Sequence, residues 1–131
     1  MHYVLWLIAT ASAFVLGALW YSPLLFHKAW CAENGLPTDH QSGHPAKVFG
    51  LSFIFSAVAA GAYVHIVGYS DDVLMSTLHG AAAGLAFAFT SFGINYQFAG
   101  RSFKLLLIDG GYHTLQFALY GLVYSALHEV L

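Results

Sequence analysis

The chain has 131 residues, of which 59% are hydrophobic and only 8% charged, and its mean hydropathy is +0.68. Soluble domains carry roughly 25% charged residues, so this chain lacks the polar surface to stay in water, and an integral membrane protein is the class that fits. Four basic residues against six acidic ones, without a basic cluster, exclude a nucleic-acid partner, and one cysteine, Cys31, excludes an internal disulfide.

The first predicted element, about residues 3–21, reads YVLWLIATASAFVLGALWY and carries no charge. It has neither a basic leader nor a small-residue cleavage site, so it reads as a retained helix rather than a signal peptide. Trp20, Tyr21, Phe26 and Trp30 mark its end as an interfacial aromatic belt. Ser22-Pro23 disfavours further regular helix, about 22–47 forms the first loop, and within it NGLPTDHQSGHP, residues 34–45, reads as irregular.

Three more apolar runs follow, at about 48–67, 73–98 and 103–127. A span needs ~20 apolar residues at 1.5 Å each, and all four runs meet that length. None shows the ten-residue alternation of a membrane strand. The predicted fold is therefore all-α, a single transmembrane domain over 1–131 built as a four-helix bundle. Lys28 and Lys47 flank the first loop, and Arg101 and Lys104 the third, whereas GYSDDV and the C-terminal end have no basic residue. By the positive-inside rule the first and third loops are cytoplasmic and both termini lie outside.

Helices in lipid associate through small residues and polar contacts. Ala13 and Gly17, Ala57 and Gly61, and Gly80 and Gly84 stand at small-xxx-small spacing, which predicts a tight bundle, whether within one chain or between subunits; a homo-oligomer is the expected assembly. The last helix carries Gly110-Gly111, readable as a close approach of a neighbouring helix or as a distortion of the kind found in broken transporter helices.

That helix also places Asp109, His113, Gln116, Tyr120 and Tyr124 on one face. Lipid offers these groups no partner, so the face must point into protein. Asp109 lies five residues beyond Lys104, about 7–8 Å deeper along the axis. The short turn at about 99–102 makes the third and fourth helices antiparallel neighbours. Folding back about that turn sets Asn95 at the depth of Asp109 and Ser91 near His113, in the cytoplasmic half.

LGALWYSPLLFHKAW and NYQFAGRSFKLLLIDGGYH, with Trp20-Tyr21-Ser22-Pro23, Asn95, Gly100-Arg101 and Gly111-Tyr112-His113 as their most specific parts, resemble the domain of unknown function 1761 family over nearly the whole chain. The resemblance implies a small four-helix protein of the bacterial inner membrane and supplies no activity. The histidines of the first loop do not belong to the pattern.

Two readings of the polar cluster stand side by side. In one, Asp109 pairs with Arg101 or His113 and orients the hairpin. In the other, Asp109 and His113 titrate in a cytoplasm-facing pocket, with Asn95 and Tyr112 as hydrogen-bonding orienters and Tyr21, Ser22 and Tyr96 as further members of the cluster. Arg101 and Lys104 would then draw in a small anion, and the protein would be a proton-linked transporter or channel. A third reading takes His2, His65, His79 and His128, one near the outer end of each helix, as a metal or haem ring. His27, Cys31, His40 and His44 form a looser set around the first loop. No motif of hydrolytic, phosphate-binding or metalloprotease chemistry occurs, so no cofactor and no enzyme activity are expected.

Overall fold

The computed structural model describes residues 2–131, and among them every regular element is helical. Helix α1 covers Tyr3–Trp20, α2 His27–Glu33, α3 Pro45–Ile66, α4 Val73–Ala99 and α5 Phe103–Leu127. Their starts follow from local chemistry. The Asp72 carboxylate accepts from the Met75 amide at 3.0 Å, and the Ser102 hydroxyl accepts from that of Leu105 at 3.1 Å. Pro45 sits in the first turn of α3, where its missing N–H is no loss. Gly100 ends α4 in the left-handed conformation, at φ 67°.

The first loop, about 22–47, contains the short helix α2 ahead of its irregular stretch, an element that the sequence reading did not anticipate. Its amide ladder begins once the chain is past the Ser22-Pro23 turn, and it buries Cys31. The next helix starts at Pro45 rather than near 48, because the His44 ring accepts from the Ala46 amide and caps it.

α5 is the axis of the molecule and packs against all four other helices. Twelve of its 25 residues are buried, against three of 22 in α3. Ser56 and Ala60 of α3 meet Tyr120 and Tyr124 in order, so these two helices are parallel. Trp20 and Ala13 of α1 meet Ile108 and Tyr112 in reverse order, as Gly84 and Gly80 of α4 meet His113 and Phe117. The four long helices thus alternate in direction. The core joins Leu5, Ala9 and Ala13 of α1, Ala60 and Tyr63 of α3, and Tyr120, Val123 and Tyr124 of α5.

α1, α3 and α4 are each long and apolar enough to cross a membrane. α5 is not among them despite its length, because Asp109, His113, Gln116 and its tyrosines lower its hydropathy. Its polar groups gather on the face that the other helices cover, while Leu107, Leu115 and Leu122 are exposed on the opposite side.

The middle of α4 departs from α-helix: Gly84–Phe89 forms a π-helical turn. Such a turn holds one extra residue and rotates everything beyond it by about one position. Before the turn, Gly80 and Gly84 face α5; beyond it, Phe89, Phe92 and Tyr96 do. The step from 84 to 89 is five residues, where a regular helix would take three or four.

Candidate functional site

The polar cluster centres on Asp109, which is buried in the second turn of α5. The Tyr21 hydroxyl, at the end of α1, donates to Oδ1 at 2.6 Å. The Tyr96 hydroxyl, near the end of α4, donates to Oδ2. One carboxyl group therefore ties three helices. Beside it, the Trp20 indole donates to the Ile108 carbonyl at 2.9 Å, and the Tyr112 hydroxyl donates to the Ala13 carbonyl at 2.9 Å. Gly17 makes room for the Tyr112 ring, Gly111 sits against Trp20, and Gly110 sits under the Phe89 ring.

A second set of polar groups continues along α5. His113 Nδ1 meets Gln116 Oε1 at 2.5 Å, and the Gln116 amide donates to the Tyr120 hydroxyl at 2.7 Å. The Tyr120 hydroxyl in turn meets Ser56 Oγ at 2.9 Å, which reaches the Thr10 carbonyl at 3.3 Å. Farther along, Tyr124 donates to the Ala60 carbonyl at 2.8 Å, and Ser125 to that of Ser70 at 2.6 Å. Each group finds its partner inside protein, as a low-dielectric surrounding demands.

Several expected members lie elsewhere. Asp109 does not pair with Arg101 or His113: its two oxygens take tyrosine hydroxyls, while Arg101 is exposed beyond the end of α4. Asn95 and Ser91 are exposed rather than facing α5. On a regular helix they would continue the Gly80–Gly84 face, and the π-helical turn replaces them there with Tyr96 and Phe92. Phe92 accordingly stacks on His113, ring centroids 4.9 Å apart and 16° from parallel. Ser22 caps its own turn by donating to the Leu19 carbonyl at 2.6 Å. Lys104 is exposed at the start of α5.

Trp20, Thr10 and Ser56, which the sequence left outside the cluster, belong to it. Trp20 and Tyr21 carried the signal, since they close an otherwise apolar helix. Nothing in the sequence pairs Ser56 with Thr10. Trp6 adds a further tie at the other end, donating to the Ala57 carbonyl at 2.8 Å beside Gly61.

The four-histidine ring does not assemble. His2 caps α1 by accepting from the Leu5 amide, and His65 and His79 are exposed on α3 and α4. Only His128 has acidic company: among the described residues, Asp71, His128 and Glu129 alone bring three ligand-type side chains together. Helix rotation decides this, and small shifts in register separate residues of equal depth. Around the first loop, His27 Nε2 donates to the Thr38 carbonyl at 2.8 Å, with Cys31 nearby, and His40 and His44 are exposed and apart from them.

His128 lies past the end of α5, where one ring nitrogen faces the Ser125 carbonyl at 2.8 Å and the other faces Asp71 at 3.0 Å. The Ser125 carbonyl first, and Asp71 after it, hold its pKa above the ordinary imidazole value near 6.5. A raised histidine pKa contributes stability that is complete below the unfolded value and is lost as pH rises through the folded one. The contact between the α3–α4 loop and the end of α5 is thus expected to weaken on going from pH 6 to pH 9. Thermal melts should show a decline over that range that Asp71→Asn reduces.

Residues 4–125 match the profile of a family described as "Protein of unknown function (DUF1761)", and the chain belongs to that family. No curated protein and no solved structure shows significant similarity to it.

Proposed function

We propose that this member of the DUF1761 family is a non-enzymatic integral membrane protein whose cluster around Asp109 locks its helices together. In this reading α1, α3, α4 and α5 all cross the bacterial inner membrane, both termini lie outside, and the Lys/Arg-bearing loops face the cytoplasm. The observation that carries it is the double engagement of Asp109 by hydroxyls from α1 and α4. A carboxyl group held on both oxygens by protein is a fastening. The groove lined by Trp20, Phe26 and Leu107 and the one lined by Leu16, Leu115 and Leu122 both leave Asp109 and His113 outside.

The alternating helix directions and the exposed positions of Lys28, Lys47, Arg101 and Lys104 support the orientation. A Cys31→Ser chain carrying either Lys104→Cys or Asp71→Cys tests it in intact inner-membrane vesicles. A membrane-impermeant thiol reagent is expected to label the first from the cytoplasmic side and the second from the opposite side. Labelling of both from one side would remove the four-span reading. Self-association belongs to the same proposal, because α3 buries so little within the chain and leaves an apolar face for a second copy.

One observation favours a second reading, that of a proton-linked transporter or channel. His113, Gln116, Tyr120 and Ser56 form a continuous hydrogen-bonded run along the bundle interior. Under this reading Asp109→Asn and His113→Ala abolish proton-driven flux in proteoliposomes while folding is retained. Under the first reading both variants leave ion permeability at the level of protein-free vesicles, as the parent chain does.

A further inference from the structure

A groove of about 420 Å³ runs along the outside of the bundle, walled by Trp20 and Phe26 on one side and by Leu107 and Gly111 of α5 on the other. Ala29 of α2 and Lys104 also line it. Lys104, Leu107 and Gly111 fall at i, i+3 and i+7, one face of α5. The groove therefore follows the helix axis for ~10 Å, from a charged rim into an apolar wall.

Its walls are fixed in advance. The Trp20 indole is held by the Ile108 carbonyl at 2.9 Å and packs on Phe26 with ring centroids 4.6 Å apart. A side chain at Gly111 would begin 3.4 Å from the Trp20 ring, so glycine keeps the floor open. In a bilayer an acyl chain gains little from leaving other acyl chains, because lipid tails are as apolar as leucine. Selectivity must come from the rim. Lys104 is exposed there without an ion pair among the described residues, and Lys28 adjoins the groove residue Ala29. At this end Lys28, Lys47, Arg101 and Lys104 face only two exposed or half-exposed acids, Glu33 and Asp39, and Glu33 is engaged by the Ser102 hydroxyl.

We infer that this groove is a binding site for one anionic phospholipid of the surrounding leaflet, its phosphate on Lys104 and one acyl chain between Trp20 and Leu107. The charge at the rim and the direction of the groove match the two ends of such a lipid. The inference rests on the membrane reading above. A chain that fails to insert into vesicles would overturn that reading, whereas an inserted chain without lipid preference would overturn this inference alone.

The test is native mass spectrometry of the detergent-solubilised full chain, titrated with phosphatidylglycerol or phosphatidylcholine of identical acyl chains. The first bound phosphatidylglycerol is expected to reach about five-fold higher occupancy than phosphatidylcholine, the advantage of one lysine near a headgroup. Lys104→Gln should bring the two lipids level. Leu107→Trp, at an exposed position, should lower the occupancy of both by filling the groove. Excess inorganic phosphate should not displace the lipid. Equal binding of the two lipids by the parent chain, a preference that survives Lys104→Gln, occupancy unchanged by Leu107→Trp, or displacement by free phosphate would each overturn the inference.

Discussion

Asp109→Ala is expected to destabilise the protein by about 1–4 kcal/mol, measured by reversible unfolding in mixed detergent micelles. The substitution removes two hydrogen bonds and leaves the hydroxyls of Tyr21 and Tyr96 facing a side chain that accepts nothing. An unsatisfied buried hydroxyl costs about 1–3 kcal/mol, and two half-buried ones at about 2 kcal/mol each set the upper end of the range. Interhelical hydrogen bonds inside membrane proteins average nearer 0.6 kcal/mol, and removing a buried carboxyl group relieves its own desolvation, which set the lower end. Asp109→Asn should cost about half as much, since the amide oxygen still accepts from one tyrosine. Tyr21→Phe and Tyr96→Phe should each lose stability in the parent chain and almost none in the Asp109→Ala background. Full additivity across that double-mutant cycle would break the fastening apart as an explanation.

The same cycle separates the two functional readings. A fastening responds in stability to the loss of either tyrosine, whichever helix supplies it. A proton carrier would respond in flux to Asp109→Asn even where stability is nearly kept. The two measurements on the same variants therefore point in different directions.

How much of this was legible from sequence depended on whether a residue's face could be reckoned by counting. On α5 it could, because the helix is regular from Phe103 to Leu127. The inward set of Asp109, Gln116, Tyr120 and Tyr124 follows from its period. On α4 counting failed beyond Gly84, since a π-helical turn leaves no dependable trace in a run such as GLAFAF. Counting puts Asn95 on the seam, and its neighbour Tyr96 occupies it. The helical direction of each segment was readable, but the rotation of four helices about their own axes was not. For that reason His2, His65, His79 and His128 could share a depth in the sequence and still stand apart in space. Arg101 is a different case: charge suggested a partner for Asp109, but a guanidinium past the helix end is better hydrated outside than desolvated inside.

The largest effect of any single methyl group is expected at the crossing of α4 and α5. A Cβ at Gly121 would press into the Ser76 carbonyl, and one at Gly80 into the Phe117 carbonyl. These are backbone atoms, so no side-chain rotation relieves the clash and the two helices must separate. Ordinary overpacking costs about 1–3 kcal/mol, and Gly121→Ala should lie at or above the top of that range. Gly84→Leu should be more severe, because even its first carbon would lie 2.8 Å from the His113 carbonyl oxygen and the Thr114 Cα. Gly50→Ala supplies the opposite sign with the same chemistry. That glycine lies within α3 with nothing within 4 Å of the added carbon, so the methyl group should stabilise by about 0.5–1 kcal/mol through helix propensity. If Gly121→Ala and Gly50→Ala shifted the unfolding midpoint equally, the close backbone crossing would not be what holds α4 to α5. If they diverge as expected, the small residues of α4 and α5 and the carboxyl group of Asp109 act on the same joint from two positions. The glycines bring the helices together on one side of the π-helical turn, and Tyr96 fastens them on the other.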